Sequence, residues 1–322
     1  MNLKSKLIQV IKITLPLLLG VFLIVYTYHK FTPEQLEEIK KHFKSADYFY
    51  VGLSIFFGFL SHLSRAYRWN FMLEPLGYKP KLMNNIMAIG SGYLLNLAIP
   101  RSGEVFRAAV IKKYDNVPFE KAFGTIVAER IADLVILLVI ISSAFLLEFN
   151  TLKSFLLQHI QPQKLLILLV IAIAVFGLFV LYLTKTSSAI GLKIKNFVSG
   201  LKDGVFSIVT MKKKWPFILH TIFIWVMYVL MFYICIFAFP ETSHITFSEV
   251  LTAFTVGSLT IAFTNGGFGS YPFLVAQVLD LFGIAFTIGT AFGWIVWISQ
   301  TLMVIIFGGL SFLFLPVYNR LK

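Results

Sequence analysis

Two short apolar segments, each interrupted by glycine or proline, occur about half a chain length apart. The first, residues 86–107, breaks at residues 100–104, and the second, residues 251–274, breaks at residues 264–272. Paired interruptions at matching places in two halves of a hydrophobic chain are a sequence signature of the central site of a membrane transporter. The two breaks therefore predict two related halves, each built around a broken helix.

The composition excludes an ordinary soluble domain. Hydrophobic residues make up 58% of the chain and charged residues 13%, with a mean hydropathy of +0.82. A helix needs about 20 apolar residues to cross the hydrocarbon core. This predicts an all-α integral membrane protein, a polytopic helical bundle of about six full spans. The predicted spans are residues 11–29, 48–66, 132–149, 165–184, 216–239 and 288–315.

The short segment at residues 86–99 would reach only about 21 Å as a helix, which favours entry and return on the same side. With a cytoplasmic N-terminus and two such re-entrant hairpins, 22 of the 28 Lys and Arg residues fall on the cytoplasmic side. Positive residues are retained on that side of membranes. The same topology places both termini in the cytoplasm and makes residues 1–150 and 151–322 inverted-topology repeats of one transmembrane domain.

The net charge of +13 does not predict a nucleic-acid partner, because the basic residues are spread over loops next to the spans. Attraction to anionic lipid headgroups accounts for it more simply. Residues 33–44 and 190–209 mix apolar and charged residues at helical spacing, as interfacial helices or solvated linker helices do. The single cysteine, Cys235, and six scattered histidines indicate no disulfide, metal cluster or cofactor.

The first break carries the chemistry expected of an anion site. Pro100 would end the incoming helix, Ser102 would cap the next one, and Gly103 would let backbone amides face a ligand. The new helix N-terminus carries about half a positive charge, which Arg101 would reinforce. These residues predict a site for a phosphate-sized anion.

Further polar residues surround this break. Glu104 lies three residues from both Arg101 and Arg107, so it could pair with either and orient the guanidinium groups. The alternative is a self-neutralising bend that makes the turn tolerable in lipid. Asn96 could contact a headgroup or bond a neighbouring helix, and Arg65 could face a cavity or act as an interfacial anchor.

The second break has no charge but is rich in glycine. Asn265, Gly266, Gly267 and Gly269 precede Ser270, a candidate cap, so the loop could bind a ligand through backbone amides. Glycines also allow membrane helices to pack closely, which is the alternative interpretation.

A third group lies before the third span, where Glu129 and Asp133 share a helix face on either side of Arg130. Like charges at this spacing repel, so they need a cation, which the substrate, a transported proton or one of four arginines (Arg65, Arg68, Arg101 and Arg107) could supply. A helix end with solvated charges is the alternative.

Four motifs occur in a fixed order along the chain: Arg65-x-x-Arg68-Trp69, Pro100-Arg101-x-Gly103-Glu104-x-x-Arg107, Glu129-Arg130-x-x-Asp133 and Gly266-Gly267-x-Gly269. In this order the chain resembles the lysylphosphatidylglycerol synthase transmembrane-region family, whose flippase-like domains also form the membrane half of the multiple peptide resistance factors. The resemblance covers nearly the whole chain. It implies lipid translocation across a bacterial inner membrane, with aminoacyl-phosphatidylglycerol as the lipid in synthase-fused members.

Two departures limit what the resemblance implies. No aminoacyl-transferase domain follows the membrane region, so we do not expect lipid synthesis. Tyr271 and Pro272 follow the glycine loop where many relatives have an acidic residue, which argues against cation recognition by this loop.

We therefore expect a non-enzymatic flippase that carries an anionic phospholipid, an aminoacyl-phospholipid or a polyprenyl phosphate. Two other functions remain open. One is an intramembrane enzyme that acts on a lipid phosphate or a lipid-linked sugar with Glu104 or Asp133 as base. The other is a non-transporting membrane partner of envelope enzymes, and a homo-oligomer is compatible with all three.

Overall fold

The computed structural model describes residues 3–159, 211–264 and 266–320, with isolated positions between 160 and 210. The described residues form helices joined by short turns, and no β-strand occurs among them, which confirms the all-α class. The helices are α1 (Leu3–Lys30), α2 (Pro33–Ser45), α3 (Tyr48–Leu73), α4 (Leu82–Ala98), α5 (Ser102–Asp115), α6 (Phe119–Leu147), α7 (Phe149–His159), α8 (Lys214–Cys235), α9 (Phe247–Phe263), α10 (Ser270–Leu281) and α11 (Phe286–Arg320).

Three helical stretches within the described ranges are long and apolar enough to cross a membrane. They are Phe119–Leu147, Lys214–Ala238 and Phe286–Arg320. They overlap three of the predicted spans, at residues 132–149, 216–239 and 288–315. The chain is thus a helical protein with several helices suited to a bilayer.

The other predicted segments have different outcomes. Residues 11–29 and 48–66 fall within α1 and α3, whereas the predicted span 165–184 and amphipathic segment 190–209 lie outside the continuously described residues. The total number of spans therefore stays a prediction. The predicted interfacial helix at residues 33–44 is α2, which begins with a capping box between Thr32 and Gln35.

The chain divides into two compact units. One comprises the residues up to Ile126 together with those from Trp215 onward, and the other comprises Val127–Lys214. Both interrupted segments belong to the first unit. An inverted repeat is defined by the direction in which each helix crosses the membrane, and a division into compact units does not test that direction. The inverted repeats at residues 1–150 and 151–322 therefore stay a prediction.

The first interrupted segment is a closed helical hairpin of α4 and α5. At its base, Asp115 at the end of α5 accepts hydrogen bonds from the Lys81 amide at 3.1 Å and from Asn84 Nδ2 at 2.8 Å. The two ends therefore lie side by side, about 25 Å from the tip for the 17 residues of α4. The entry and return of this segment on one side of the membrane stays a prediction.

The second interrupted segment pairs α9 with α10. Gly257 of α9 lies against Tyr271 in the first turn of α10, and a methyl group at Gly257 would lie 2.6 Å from Tyr271 Cε2. Because the ring of Tyr271 is buried in this position, the small residue at 257 sets how closely the two helices approach.

The long helix α11 packs against both hairpins through glycines. A methyl group at Gly308 would lie 2.6 Å from the Gly90 carbonyl oxygen of α4, and one at Gly293 would lie 2.7 Å from Pro272 Cα of α10. Small residues permit such close backbone contact between helices. Both hairpins therefore pack closely against α11.

Candidate functional site

The tip of the first hairpin is a tight, backbone-strained turn. Ile99 is extended and α5 begins at Ser102, with Arg101 between them at φ +64°. A non-glycine residue in the left-handed region costs roughly 1–2 kcal/mol. The Arg101 side chain is exposed at this tip, so its predicted contact with phosphate stays a prediction.

The predicted capping role of Ser102 is wrong. Ser102 is the first residue of α5 rather than the residue before it, and its hydroxyl donates to the carbonyl oxygens of Ile99 at 2.7 Å and Leu95 at 3.2 Å. These carbonyls lie at the C-terminal end of α4, where helical acceptors lack partners within the helix. Ser102 therefore completes the outgoing end of α4.

Asn96 makes the capping hydrogen bond at the start of α5 that was predicted for Ser102. Its Oδ1 accepts a hydrogen bond from the Gly103 amide at 2.7 Å, so it bonds the neighbouring helix, one of the two roles predicted for it. The Gly103 amide is consequently not open to a ligand, contrary to the prediction. Gly103 instead allows close packing, since a methyl group there would overlap the Gly92 carbonyl oxygen.

Arg107 lies about one turn further along α5 and is held by an aromatic ring. Its side chain is only 4% exposed, and its guanidinium carbon lies 4.3 Å from the centre of the Trp69 ring. Trp69 Nε1 donates to Thr125 Oγ1 at 2.8 Å, and the Thr125 hydroxyl donates to the Ala122 carbonyl at 2.7 Å. A chain of contacts from α6 through α3 thus fixes the orientation of the Arg107 guanidinium.

The helix α3 adds two more buried guanidinium groups. Arg65 is 2% exposed and Arg68 is fully buried, so the interpretation of this segment as an interfacial anchor is wrong. Arg68 Nη1 donates to Thr221 Oγ1 at 2.8 Å, and the guanidinium lies 5.1 Å from the Phe217 ring of α8. Buried charges in a membrane protein are candidates for a functional site, which makes these arginines candidate site residues.

Glu104 is partly buried on the first turn of α5. Its predicted role, orienting Arg101 and Arg107, stays a prediction. The orientation of Arg107 rests in part on Trp69, a residue that the sequence motif contained but that was not assigned a role.

The acidic pair on α6 belongs to the second compact unit. Glu129 and Asp133 lie within one uninterrupted helix, so they share the predicted face. Arg130 Nη1 lies 3.9 Å from Asp133 Oδ2. The cation that the two carboxylates require is thus supplied in part by Arg130, which lies within the same motif and was not one of the predicted cations.

The glycine loop between α9 and α10 is shaped by positive backbone dihedrals. Gly266, Gly267 and Gly269 have φ of +67°, +77° and +67°, a region that favours glycine. Gly269 also approaches the Gly20 carbonyl of α1 too closely for a side chain. The close-packing interpretation therefore holds for Gly269, while Asn265 lies outside the described residues.

Ser270 does not cap α10, so the prediction for Ser270 is wrong, because Ser270 is already the first residue of that helix and Gly269 precedes it. Thr264 Oγ1 accepts from the Gly267 amide at 3.0 Å, and Ser270, already the first residue of α10, reaches the same hydroxyl at 3.3 Å. Trp297 of α11 donates through Nε1 to the Gly266 carbonyl at 2.8 Å. Hydrogen bonds of the Thr264, Ser270 and Trp297 side chains therefore stabilise the loop.

The tips of the two breaks approach each other. A methyl group added at Gly266 would lie 3.8 Å from Leu97 Cδ2, in the last turn of α4. The sequence predicted matching positions for the two interruptions, and the structure brings the ends of the two hairpins near one another. Among the described residues, no group of three or more His, Cys, Asp or Glu side chains could hold a metal ion.

The fold and site define a helical multi-pass membrane protein with two helical hairpins, whose tips approach each other, and with buried arginines beside the first. Residues 13–308 match the family described as the lysylphosphatidylglycerol synthase TM region, and the chain belongs to this family. This confirms the resemblance seen in the motifs.

A curated relative supports the membrane assignment. The chain is 30% identical over 148 residues to the UPF0104 membrane protein MJ1595 of Methanocaldococcus jannaschii. The match covers 44% of this chain and 44% of that protein, so the chain spans less than half the length of this relative. No solved structure matches the chain.

Proposed function

We propose that the protein translocates a phosphate-containing lipid across a membrane without changing it chemically. The substrate class is an anionic phospholipid, an aminoacyl-phospholipid or a polyprenyl phosphate. The observation that carries the proposal is the buried Arg107 guanidinium stacked on Trp69 beside a helix break. A planar guanidinium offers several N–H donors in a fixed arrangement that suits phosphate oxygens.

Arg107 would bind the phosphate, and Arg65 and Arg68 would add positive charge that stabilises it. Glu104 would orient the guanidinium groups near the hairpin tip. Glu129 and Asp133, in the second compact unit, would bind an amine or a proton at a site of their own. The acyl or prenyl chains would remain in the lipid, because only the headgroup needs a polar environment during the crossing.

The close approach of Leu97 and Gly266 suggests how access could alternate. If the hairpins enter the membrane from opposite faces, their tips form a barrier near its midplane. Movement of one repeat against the other would open this barrier to one side at a time. The proposal includes a bacterial inner membrane with both termini in the cytoplasm.

The test is a translocation assay in reconstituted vesicles containing a short-chain fluorescent phosphatidylglycerol. Arg107→Ala should slow translocation about tenfold or more, as expected for loss of a buried charged hydrogen bond. Lys112→Ala provides the matched control, since Lys112 is an exposed cation on the same helix. Translocation at the wild-type rate by the Arg107 variant would refute this site.

The same vesicles distinguish the two other functions. A change in the mass of the recovered lipid would identify an enzyme, because transport leaves the lipid unchanged. Equal translocation by protein-containing and empty vesicles, with a stoichiometric partner after crosslinking in native membranes, would identify a non-transporting partner of envelope enzymes.

A further inference from the structure

An apolar cavity of about 310 Å³ lies between α1, α2, α10 and α11, away from the buried arginines. Helix α1 contributes Ile24 and Thr27, and α2 contributes Leu36 and Ile39. Gly269 of the second break forms part of the wall. The cavity therefore connects the outer surface of the hairpin unit with the glycine loop.

The two threonine hydroxyls in the wall donate hydrogen bonds within their own helices. Thr27 Oγ1 donates to the Leu23 carbonyl at 2.6 Å, and Thr290 Oγ1 donates to the Phe286 carbonyl at 2.7 Å. These residues consequently present methyl groups to the cavity. Such a wall suits a hydrocarbon chain and would penalise a polar headgroup, whose lost hydration could not be replaced.

The helix α2 separates this apolar space from a charged surface. Leu36, Ile39 and Phe43 recur at helical spacing and line the cavity, while the charged residues of α2 are exposed. On that exposed side, Lys40 donates to Glu37 at 2.6 Å, and this hydrogen bond lowers the pKa of the Glu37 carboxyl. This division is the one found in helices that lie at a membrane interface.

Two exposed cations flank the cavity in the sequence. Lys30 precedes the wall residue Phe31 at the end of α1, and Lys44 follows the wall residue Phe43. Positive residues at headgroup depth attract anionic lipids. The cavity thus combines a hydrocarbon interior with neighbouring positive charge.

We infer that this cavity binds one acyl chain of an anionic phospholipid, with the headgroup near Lys30 and Lys44. The inference deepens the proposed lipid translocation, and it rests on that function for its role in transport. A chain held here would reach the wall formed by Gly269, so the lipid would be retained beside the second break.

The experiment uses the full chain in vesicles with a phosphatidylglycerol that carries a photoactivatable diazirine on one acyl chain. Labelled peptides are then identified by mass spectrometry. In the wild type, label should concentrate on the peptides containing residues 24–31 and 36–43. Thr27→Phe and Ile39→Trp fill the cavity from opposite walls, and each should lose this label.

Leu18→Trp is the matched control, because Leu18 lies on α1 with its side chain exposed and outside the cavity wall. It should keep the label. Label spread equally over the Leu18 region and the cavity, or label that survives in both filled variants, would overturn the inference. Equal labelling by a phosphatidylcholine probe with the same chain would overturn the assignment to an anionic lipid.

The labelling does not require transport, so the two proposals can fail separately. A labelled cavity in a protein that does not translocate lipid would count against the proposed function alone. Translocation that depends on Arg107 without label in the cavity would count against the acyl-chain site alone.

Discussion

Asn96 Oδ1 accepts a hydrogen bond from the Gly103 amide at 2.7 Å and thereby joins the two helices of the first hairpin next to its tip. The bond satisfies an amide in the first turn of α5, which has no acceptor within its own helix. Asn96, which lies in α4, thus caps the N-terminal end of α5.

Asn96→Ala should therefore destabilise the protein by about 1 kcal/mol, the usual cost of losing a cap. The midpoint of thermal unfolding in detergent should fall by about 2 °C for a chain of this size. Val105→Ala, an exposed change on α5, is the control and should leave the midpoint unchanged. An equal effect of the two changes would show that the Asn96 bond contributes nothing.

Two glycine substitutions should have opposite signs. Gly103→Ala places a methyl group against the Gly92 carbonyl, so it should destabilise the hairpin by about 1–3 kcal/mol. Gly124→Ala lies in α6 with nothing within 4 Å of the added methyl group, so it should stabilise by about 0.5–1 kcal/mol. Thermal unfolding of both variants measures this difference, and a Gly103→Ala variant as stable as the wild type would contradict the packing described for Gly103.

Trp69 should control Arg107 without contacting the lipid itself. Trp69→Leu removes both the aromatic face and the bond to Thr125, so translocation should slow about fivefold, for an interaction near 1 kcal/mol. Trp69→Phe keeps an aromatic face and should recover part of the rate. Trp215→Phe changes an exposed tryptophan and is the control. Equal translocation rates for Trp69→Leu and the wild type would show that Trp69 does not contribute to translocation.

The local features of the fold could be predicted because they depend on nearby residues. Pro100 and the glycines at 266, 267 and 269 interrupt apolar runs, and the structure breaks its helices at those places. The helix at Pro33–Ser45 follows similarly from its amphipathic spacing and its capping box. Helix breaks and amphipathic faces are set over a few residues, so they can be recognised in one sequence.

The caps and supports of the site could not be predicted in the same way. Ser102 and Ser270 have the residue type of a cap, yet each is the first residue of its helix, and Asn96, seven residues from the Gly103 amide that it bonds, provides the acceptor for α5. The choice depends on where each helix begins, and boundaries are the least reliable part of a sequence-based assignment. The stacking of Arg107 on Trp69 joins residues on different helices, so spacing alone does not reveal it.

The central claim is that the two hairpin tips are moving parts of a lipid pathway. Their movement can be tested by replacing Leu97 and Gly266, which lie near each other at the two tips, with cysteine in a Cys235→Ala background, which removes the single native cysteine. Translocation is measured in vesicles before oxidation, after the crosslink has formed, and after reduction. Each single-cysteine variant controls for the substitution itself.

We expect the crosslink to stop translocation and reduction to restore it, with no effect of oxidation on the single-cysteine variants. Complete crosslinking with an unchanged rate of translocation would show that lipid transport does not require movement of the two tips.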